Sequence, residues 1–195
     1  MRFNEVEKLP IDVKKAIDKR VSTRSYEEKS LSEADRKKLM DFNDSLKNPF
    51  DVNVKVQYIS KDSGAKDVKL GTYGTIKGAK DYLAITVKDE PFAMEAVGYQ
   101  FENLILYATN MGLGTVWLAA TFSRKDFENA MDISEDDIFP CICPVGYPGE
   151  KRSLIDKITR AGLGSKKRNA WEQMFTLNDF NTPLSKEEAG EYQAS

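Results

Sequence analysis

Residues 82–87, Tyr-Leu-Ala-Ile-Thr-Val, are the part of the sequence that most constrains the fold, because this run is almost entirely apolar or β-branched. Since alternate residues of a strand point to opposite faces, such a run predicts a central strand that is covered on both sides. By contrast, Val52, Val54, Val56 and Tyr58 alternate with polar residues, which predicts a strand with one covered face.

Helical patterns surround these strands, and the whole order predicts an α+β layer architecture. The expected boundaries in chain order are a helix ending near Lys19, a helix capped by Ser32 and stopping near Asn48, a helix from Pro91 to Gly112, a strand over 115–118, a short helix with a capping box of Ser123 and Asp126, and a strand over 138–145. Residues 60–80 are glycine-rich and predict a long loop, either a surface turn or a lid near a site.

The composition bounds the class of protein. The chain has 195 residues, 41% of them hydrophobic, which is enough to bury the core of one domain or of one domain with a subdomain. Its 29 basic and 31 acidic side chains produce no field of one sign, so general nucleic-acid binding is disfavoured. Apolar stretches such as 104–108 are too short to cross a bilayer, and we therefore expect a soluble, cytoplasmic protein.

The segment 19–26, Lys-Arg-Val-Ser-Thr-Arg-Ser-Tyr, has the side chains of an anion site at the end of the first helix. Arg20 and Arg24 each offer a guanidinium fork, Ser22 and Thr23 offer hydroxyls, and the turn offers backbone N–H donors. This grouping suits a phosphate. Because the chain contains no histidine, we expect a bound cofactor to perform the difficult chemistry.

Cys141 and Cys143 are separated by one residue and would lie on the same face of the last strand. Two cysteines without histidine do not complete a four-ligand zinc site, and a disulfide across one residue would be strained. The pattern favours two small apolar core residues, with a reactive thiol pair as the alternative.

Four motifs together resemble the FMN-dependent nitroreductases, in particular the branch of the type found in thermophilic bacteria. They are an Arg-x-Ser-x-Arg-x-aromatic motif at 20–26, a helix and following strand at 98–104 and 112–118, a strand and turn at 144–148, and a basic segment at 166–168 before Trp171. The resemblance implies one nitroreductase-like domain over 1–195, with a central, mainly antiparallel sheet flanked by helices and a helical tail from about 150. It also implies a homodimer with two flavin sites at its interface.

The resemblance also assigns site residues by matching position. It implies that Arg20, Ser22 and Arg24, with the adjoining Val21, bind the FMN phosphate and ribityl chain, and that Lys166 and Arg168 close around the phosphate. It implies that a backbone N–H within Leu118, Ala119 and Ala120 approaches flavin N5. It also implies that Phe50 and Tyr73 contact the substrate. The alternatives are a solvated basic surface for the charged residues, a strand edge for 118–120 and a glycine-rich surface turn around Tyr73.

The activity implied by the resemblance is reduction of a nitroaromatic, a quinone or another flat electrophile by NADH or NADPH, in two alternating hydride steps. Flavin N5 would be the reactive centre, so no catalytic side chain is required. Two other functions remain open: a flavin-binding sensor or storage module without turnover, and a structural or interaction protein that has lost the cofactor.

Overall fold

The computed structural model of the chain describes residues 8–62, 70–150 and 169–190. The chain divides into two compact units, Met1–Asp156 and Lys157–Ser195. The first unit contains the sheet and the candidate site. The expected organisation, one domain with a tail from about residue 150, stays a prediction.

The first unit is built on one antiparallel sheet. Its strands are β1 (Val54–Ser60), β2 (Asp81–Lys88), β3 (Gly114–Thr115) and β4 (Asp137–Gly146), in the order β1-β2-β4-β3. Strand β2 is central, pairing with β1 on one side and with β4 on the other. Helices pack against this sheet, so the predicted α+β class with an antiparallel sheet is confirmed.

Strand β2 is covered on both faces, as the apolar run predicted. Residues 81–87 are all buried. Leu83 and Ile85 face one hydrophobic cluster, whereas Tyr82 and Ala84 face another that contains Phe127. The alternation of strand side chains therefore divides this run between two cores.

The helices of the first unit are α1 (Val13–Lys19), α2 (Glu33–Ser45), α3 (Ala93–Asn110) and α4 (Arg124–Glu128). Helix α1 ends at the predicted residue, and α2 begins where predicted, with the Ser32 hydroxyl accepting a hydrogen bond from the Asp35 N–H at 3.1 Å. Helix α2 ends three residues before Asn48, since the chain is already extended at Leu46. None of the helices within the described ranges is both long and apolar enough to cross a membrane.

The second unit contains the short helices α5 (Trp171–Met174) and α6 (Lys186–Ala189) in its described part, 169–190. The Ser185 hydroxyl caps α6 by accepting a hydrogen bond from the Glu188 N–H at 3.2 Å. Phe175 and Leu184 are joined by a backbone hydrogen bond of 3.0 Å, which brings the two helices together through a turn.

Two predicted features around residues 115–126 are wrong. Helix α4 starts after Ser123, but the Ser123 side chain makes no capping hydrogen bond. Instead, the Asp126 carboxylate accepts a hydrogen bond from the Gly71 N–H at 3.2 Å. The strand predicted over 115–118 is reduced to Gly114–Thr115, with Leu118 paired separately to Ile142.

Cys141 and Cys143 are free, and both lie in the hydrophobic core on β4, where they are 3% and 0% exposed. Burial raises the pKa of the Cys141 thiol to about 12 and also raises the pKa of the Cys143 thiol. Both thiols are therefore protonated at neutral pH, which confirms the interpretation as core residues rather than reactive thiols.

Candidate functional site

The predicted anion segment is an extended stretch of chain at the β3 edge of the sheet. Ser22 pairs with Thr115 in a parallel bridge, and the Thr23 N–H donates to the Thr115 carbonyl at 2.8 Å. On its other side, the Arg24 carbonyl accepts from the Lys77 N–H at 2.9 Å, and the Tyr26 N–H donates to the Lys77 carbonyl at 2.8 Å. The segment is thus held by its backbone between β3 and the loop that precedes β2.

The Tyr26 side chain locks the segment onto the sheet. Its ring is 6% exposed, and its hydroxyl lies 2.7 Å from the Thr23 carbonyl and 3.1 Å from the Pro144 carbonyl. The burial of the ring raises the pKa of Tyr26 well above its ordinary value, so the hydroxyl remains a donor. Because the hydroxyl reaches back three residues, it fixes the curvature of the chain around Arg24.

Two glycines permit the close approach of neighbouring chain to this segment. At Gly78 the backbone has a φ of +80°, and a Cβ there would lie 2.1 Å from the Tyr26 carbonyl oxygen. A Cβ on Gly114 would lie 2.7 Å from Thr23 Cγ2. Gly78 of the glycine-rich loop and Gly114 of β3 therefore both allow the anion segment to dock closely.

A cleft of roughly 410 Å³ opens beside the anion segment. Lys19 and Arg24 contribute positive charge to its wall, together with the hydroxyl-bearing stretch 22–25. The C-terminal end of α3 and Glu150 also line it, and both carry negative charge or partial charge. Two cationic side chains and several hydroxyls therefore outweigh one carboxylate and the partial charge of the helix end, which favours an anion with hydroxyl groups attached.

Arg20 does not line this cleft, although it belongs to the same segment. Arg20 is the C-cap residue of α1, and its Nε lies 3.8 Å from the Glu102 Oε1 atom. Among the residues that the structure describes, Glu102 is the only carboxylate within ion-pair distance of this guanidinium. Val21, by contrast, lines the cleft and is 45% exposed. Sequence reasoning missed Glu102 as a partner of Arg20.

The backbone amides of residues 118–120 differ in whether the sheet already uses them as hydrogen-bond donors. The Leu118 N–H donates to the Ile142 carbonyl at 2.9 Å, and the side chain is 4% exposed. Ala119 and Ala120 follow as exposed residues in a bend. Within the described ranges, neither amide donates a recorded hydrogen bond. The donors available to a ligand are therefore at Ala119 and Ala120, because the sheet uses that of Leu118.

The loop over 70–80 lies next to both parts of the site. Near its start, the Ser123 N–H donates to the Gly71 carbonyl at 2.8 Å, close to the bend at 119–120. Near its end, Lys77 pairs with the anion segment. Tyr73 lies between these contacts at the tip of a turn, with 70% of its surface exposed and a φ of +47°. Since an aromatic residue rarely adopts this conformation, the turn holds Tyr73 outward at a cost in backbone strain.

Phe50 lies elsewhere in the unit. Its ring stacks on Phe92 with a centroid distance of 5.9 Å and meets Tyr99 edge-on at 6.5 Å, beside the N-terminal half of α3. The cleft adjoins Thr109, near the other end of this helix. A rise of 1.5 Å per residue separates Tyr99 from Thr109 by about 15 Å. The structure therefore does not bring Phe50 to the cleft within one chain.

Asn48, which precedes Phe50, is turned inward. Its amide nitrogen donates to the Val52 carbonyl at 2.7 Å and to the Gln100 side chain at 3.2 Å, while its carbonyl oxygen accepts from the Phe50 N–H at 3.1 Å. These bonds organise the turn before β1. Lys166 and Arg168, the remaining predicted phosphate ligands, lie outside the described residues, and their role stays a prediction.

The antiparallel sheet, the flanking helices and an anion segment docked at the sheet edge together define a nitroreductase-like fold. A family model described as "Putative TM nitroreductase" matches residues 12–188, so the chain belongs to this nitroreductase family. The family predicted from the sequence motifs is thereby confirmed. No curated protein sequence matches the chain significantly.

Solved structures show the same fold. A "putative NADH dehydrogenase/NAD(P)H nitroreductase" from Bacteroides thetaiotaomicron is 19% identical, with a TM-score of 0.62 over 86% of this chain and 97% of its own. A nitroreductase with bound FMN from Bacteroides fragilis is 14% identical, with a TM-score of 0.60 over 87% of this chain and 100% of its own. A "putative nitroreductase" in complex with FMN from Desulfovibrio desulfuricans is 20% identical, with a TM-score of 0.55 over 77% of this chain and 96% of its own.

Proposed function

We propose that this protein is an FMN-dependent oxidoreductase that uses NADH or NADPH to reduce nitroaromatics, quinones or similar flat electrophiles. The observation that supports this most is the placement of the anion segment. Its hydroxyl side chains and the guanidinium of Arg24 border a cleft. The cleft lies at the same sheet edge that leads, through 115–118, to the exposed amides of Ala119 and Ala120. Membership of the nitroreductase family and FMN in solved neighbours of the same fold support the choice of cofactor.

The donor set of the cleft fits an FMN phosphate and its ribityl chain. Arg24 and Lys19 supply charge, and the hydroxyls of 22–25 supply partners for ribityl oxygens. Arg20 supplies a second guanidinium from the end of α1. Ala119 and Ala120 would offer N–H donors to the edge of the flavin ring. When bound, FMN would supply the hydride chemistry, taking hydride from the nicotinamide and passing it to the acceptor in alternating half-reactions.

The side chains of this site position ligands and do not transfer protons. Within the described ranges, neither histidine nor cysteine lines the cleft, and Glu150 supplies its one carboxylate. We infer that Arg20, Arg24 and the backbone donors hold the cofactor, and that Tyr73 packs against a flat acceptor from the turn tip. The strained backbone at Tyr73 supports a binding role for that side chain.

We further propose that the protein acts as a homodimer in the cytoplasm. Phe50 contacts Tyr99, which lies about 15 Å along α3 from Thr109 at the cleft, so a substrate contact from Phe50 would have to reach the site of a second copy. The free, protonated cysteines of β4 fit a reducing compartment.

The phosphate assignment is tested with the double variant Arg20→Ala/Arg24→Ala. We expect the dissociation constant for FMN to rise by about ten- to a hundredfold, whereas that for riboflavin, which lacks the phosphate, should change little. The matched control is Lys14→Ala/Lys37→Ala, which removes the same charge from two exposed helix positions. If the Arg20/Arg24 variant retains FMN as well as the control does, the proposed phosphate site is wrong.

Turnover distinguishes an oxidoreductase from a flavin-binding sensor or storage module. A module without turnover would bind FMN with the same dependence on Arg20 and Arg24 but would not oxidise NADH or NADPH in the presence of a quinone. Steady-state oxidation of either nucleotide, abolished when FMN is stripped and restored when it is added, supports the oxidoreductase.

A further inference from the structure

Glu102 connects three elements at the side of the candidate site. It lies on α3, one of its carboxylate oxygens is 3.8 Å from the Nε atom of Arg20, and the other accepts a hydrogen bond from the Trp117 indole N–H at 2.9 Å. Arg20 is the C-cap of α1, and Trp117 follows β3. A single carboxylate thereby joins the start of the anion segment to the strand edge on which that segment is docked.

The indole that holds Glu102 is itself fixed by the core. The Trp117 ring meets Phe101 edge-on, with a centroid distance of 4.7 Å and an interplanar angle of 78°. Phe101 is fully buried in the main hydrophobic cluster. The direction of the Glu102 carboxylate is therefore set by a side chain that cannot rotate freely.

Arg20 meets Glu102 through Nε, which leaves the fork of its two terminal nitrogens for another anion. Among the described residues, those terminal nitrogens have no recorded hydrogen bond. An arginine side chain has several rotatable bonds, and a ligand that binds it must restrict them all. A carboxylate that already holds Nε removes part of that cost before the ligand arrives.

We propose that Glu102 is a positioning residue that pre-orients Arg20 for the phosphate-bearing cofactor, with Trp117 holding the carboxylate in place. This inference rests on the proposed function, since Arg20 is taken as a ligand of that cofactor. Glu102 also opposes an anion by its charge. Both side chains are partly exposed, so solvent screens this repulsion as well as the attraction between Glu102 and Arg20, and the experiment below measures which effect is larger.

The test is a double-mutant cycle with FMN as the probe, using Arg20→Ala, Glu102→Ala and the double variant, with fluorescence titration of FMN into the stripped protein. We expect Glu102→Ala to raise the dissociation constant by about two- to tenfold and to have no further effect when Arg20 is already alanine. Glu102→Gln should recover part of the affinity, because its amide oxygen can still accept from the Trp117 indole N–H and so keep a polar group beside Arg20, which lies 3.8 Å from the native carboxylate. Trp117→Phe, which keeps the aromatic packing but removes the indole donor, should weaken FMN binding less than Glu102→Ala does.

Five results would overturn the inference or its basis. Unchanged FMN binding by Glu102→Ala and Glu102→Gln would mean that Glu102 does not pre-orient Arg20, and tighter binding would mean that the carboxylate competes with the cofactor. Additive effects of the Arg20 and Glu102 substitutions would mean that Glu102 does not act through Arg20. If Glu102→Gln weakens FMN binding as much as Glu102→Ala does, the charge of Glu102 matters and its restraint of Arg20 does not. If Arg20→Ala alone leaves FMN binding unchanged, Arg20 is not a ligand of the phosphate, and its pre-orientation by Glu102 has no role in FMN binding.

Discussion

The substitution Gly114→Ala should detach the anion segment from the sheet without replacing any proposed ligand. A Cβ at this position would lie 2.7 Å from Thr23 Cγ2 and 2.9 Å from both Thr23 Cβ and Thr23 Oγ1. Carbon atoms pack at 3.5–4.0 Å, so the overlap is about 1 Å. Rotation of the Thr23 side chain does not relieve it, because the Cβ atom itself is among the three. The backbone of the segment must move.

The cost follows from that movement. The Thr23 N–H donates to the Thr115 carbonyl at 2.8 Å, and this bond must lengthen when Thr23 is displaced from its neighbour Gly114. Overpacking of this kind costs about 1–3 kcal/mol, of which the reduced freedom of the unfolded chain recovers about 0.4–1 kcal/mol. We therefore expect a net loss of about 1–2 kcal/mol in the free energy of unfolding and up to about tenfold weaker binding of FMN.

Gly98 is the matched control. It lies within α3, and a Cβ added there would meet nothing within 4 Å, so Gly98→Ala should stabilise the protein by about 0.5–1 kcal/mol. Adding Thr23→Ala to Gly114→Ala removes two of the three clashing atoms and should restore part of the stability. Urea unfolding followed by tryptophan fluorescence measures all four proteins. If Gly114→Ala matches Gly98→Ala in both unfolding midpoint and FMN affinity, the docking of the segment on β3 is wrong.

Two further predictions concern buried groups. Tyr26→Phe removes the hydroxyl that reaches the Thr23 carbonyl at 2.7 Å, so the free energy of unfolding in urea should fall by about 1–3 kcal/mol. The control Tyr82→Phe loses only a 3.5 Å contact and should cost less than about 1 kcal/mol. Equal losses of stability in the two variants would contradict the role of the Tyr26 hydroxyl in holding the anion segment. The two buried thiols predict a loss of stability at high pH. The unfolded chain releases the Cys141 proton above the ordinary pKa of 9.0, whereas the folded chain keeps it to about 12, and burial raises the pKa of Cys143 as well. Above pH 9 the free energy of unfolding should therefore fall by about 1.4 kcal/mol per pH unit for each thiol, and a Cys141→Ala/Cys143→Ala variant that shows the same slope would refute this cause.

Patterns local to one element predicted the fold well. The run at 82–87 identified the central strand, because a strand buried on both faces lacks the alternating polar residues of a half-exposed strand. Ser32 identified a helix start because its capping bond joins residues three apart. The Arg20–Tyr26 segment predicted an anion site because its side chains and backbone donors are consecutive, and this assignment stays a prediction.

Features that depend on distant partners could not be predicted in this way. Asp126 has the spacing of a capping box, yet its carboxylate accepts from Gly71, which is 55 positions away. Nothing in the local pattern separates these two uses of a carboxylate. Likewise, Glu102 resembles any polar residue on a helix until the fold brings Arg20 and Trp117 to its two oxygens. Only the sheet pairing reveals which of the amides at 118–120 is already used.

The most direct test of the proposed function is the visible absorption spectrum of the purified protein, recorded before and after anaerobic addition of NADH and then of NADPH. We predict the absorption bands of oxidised flavin in the protein, and their bleaching by one or both nucleotides, which would also establish the preference between them. Flavin bands that neither nucleotide bleaches would contradict the oxidoreductase in favour of a binding module. A colourless protein that does not take up added FMN would contradict the proposed function altogether.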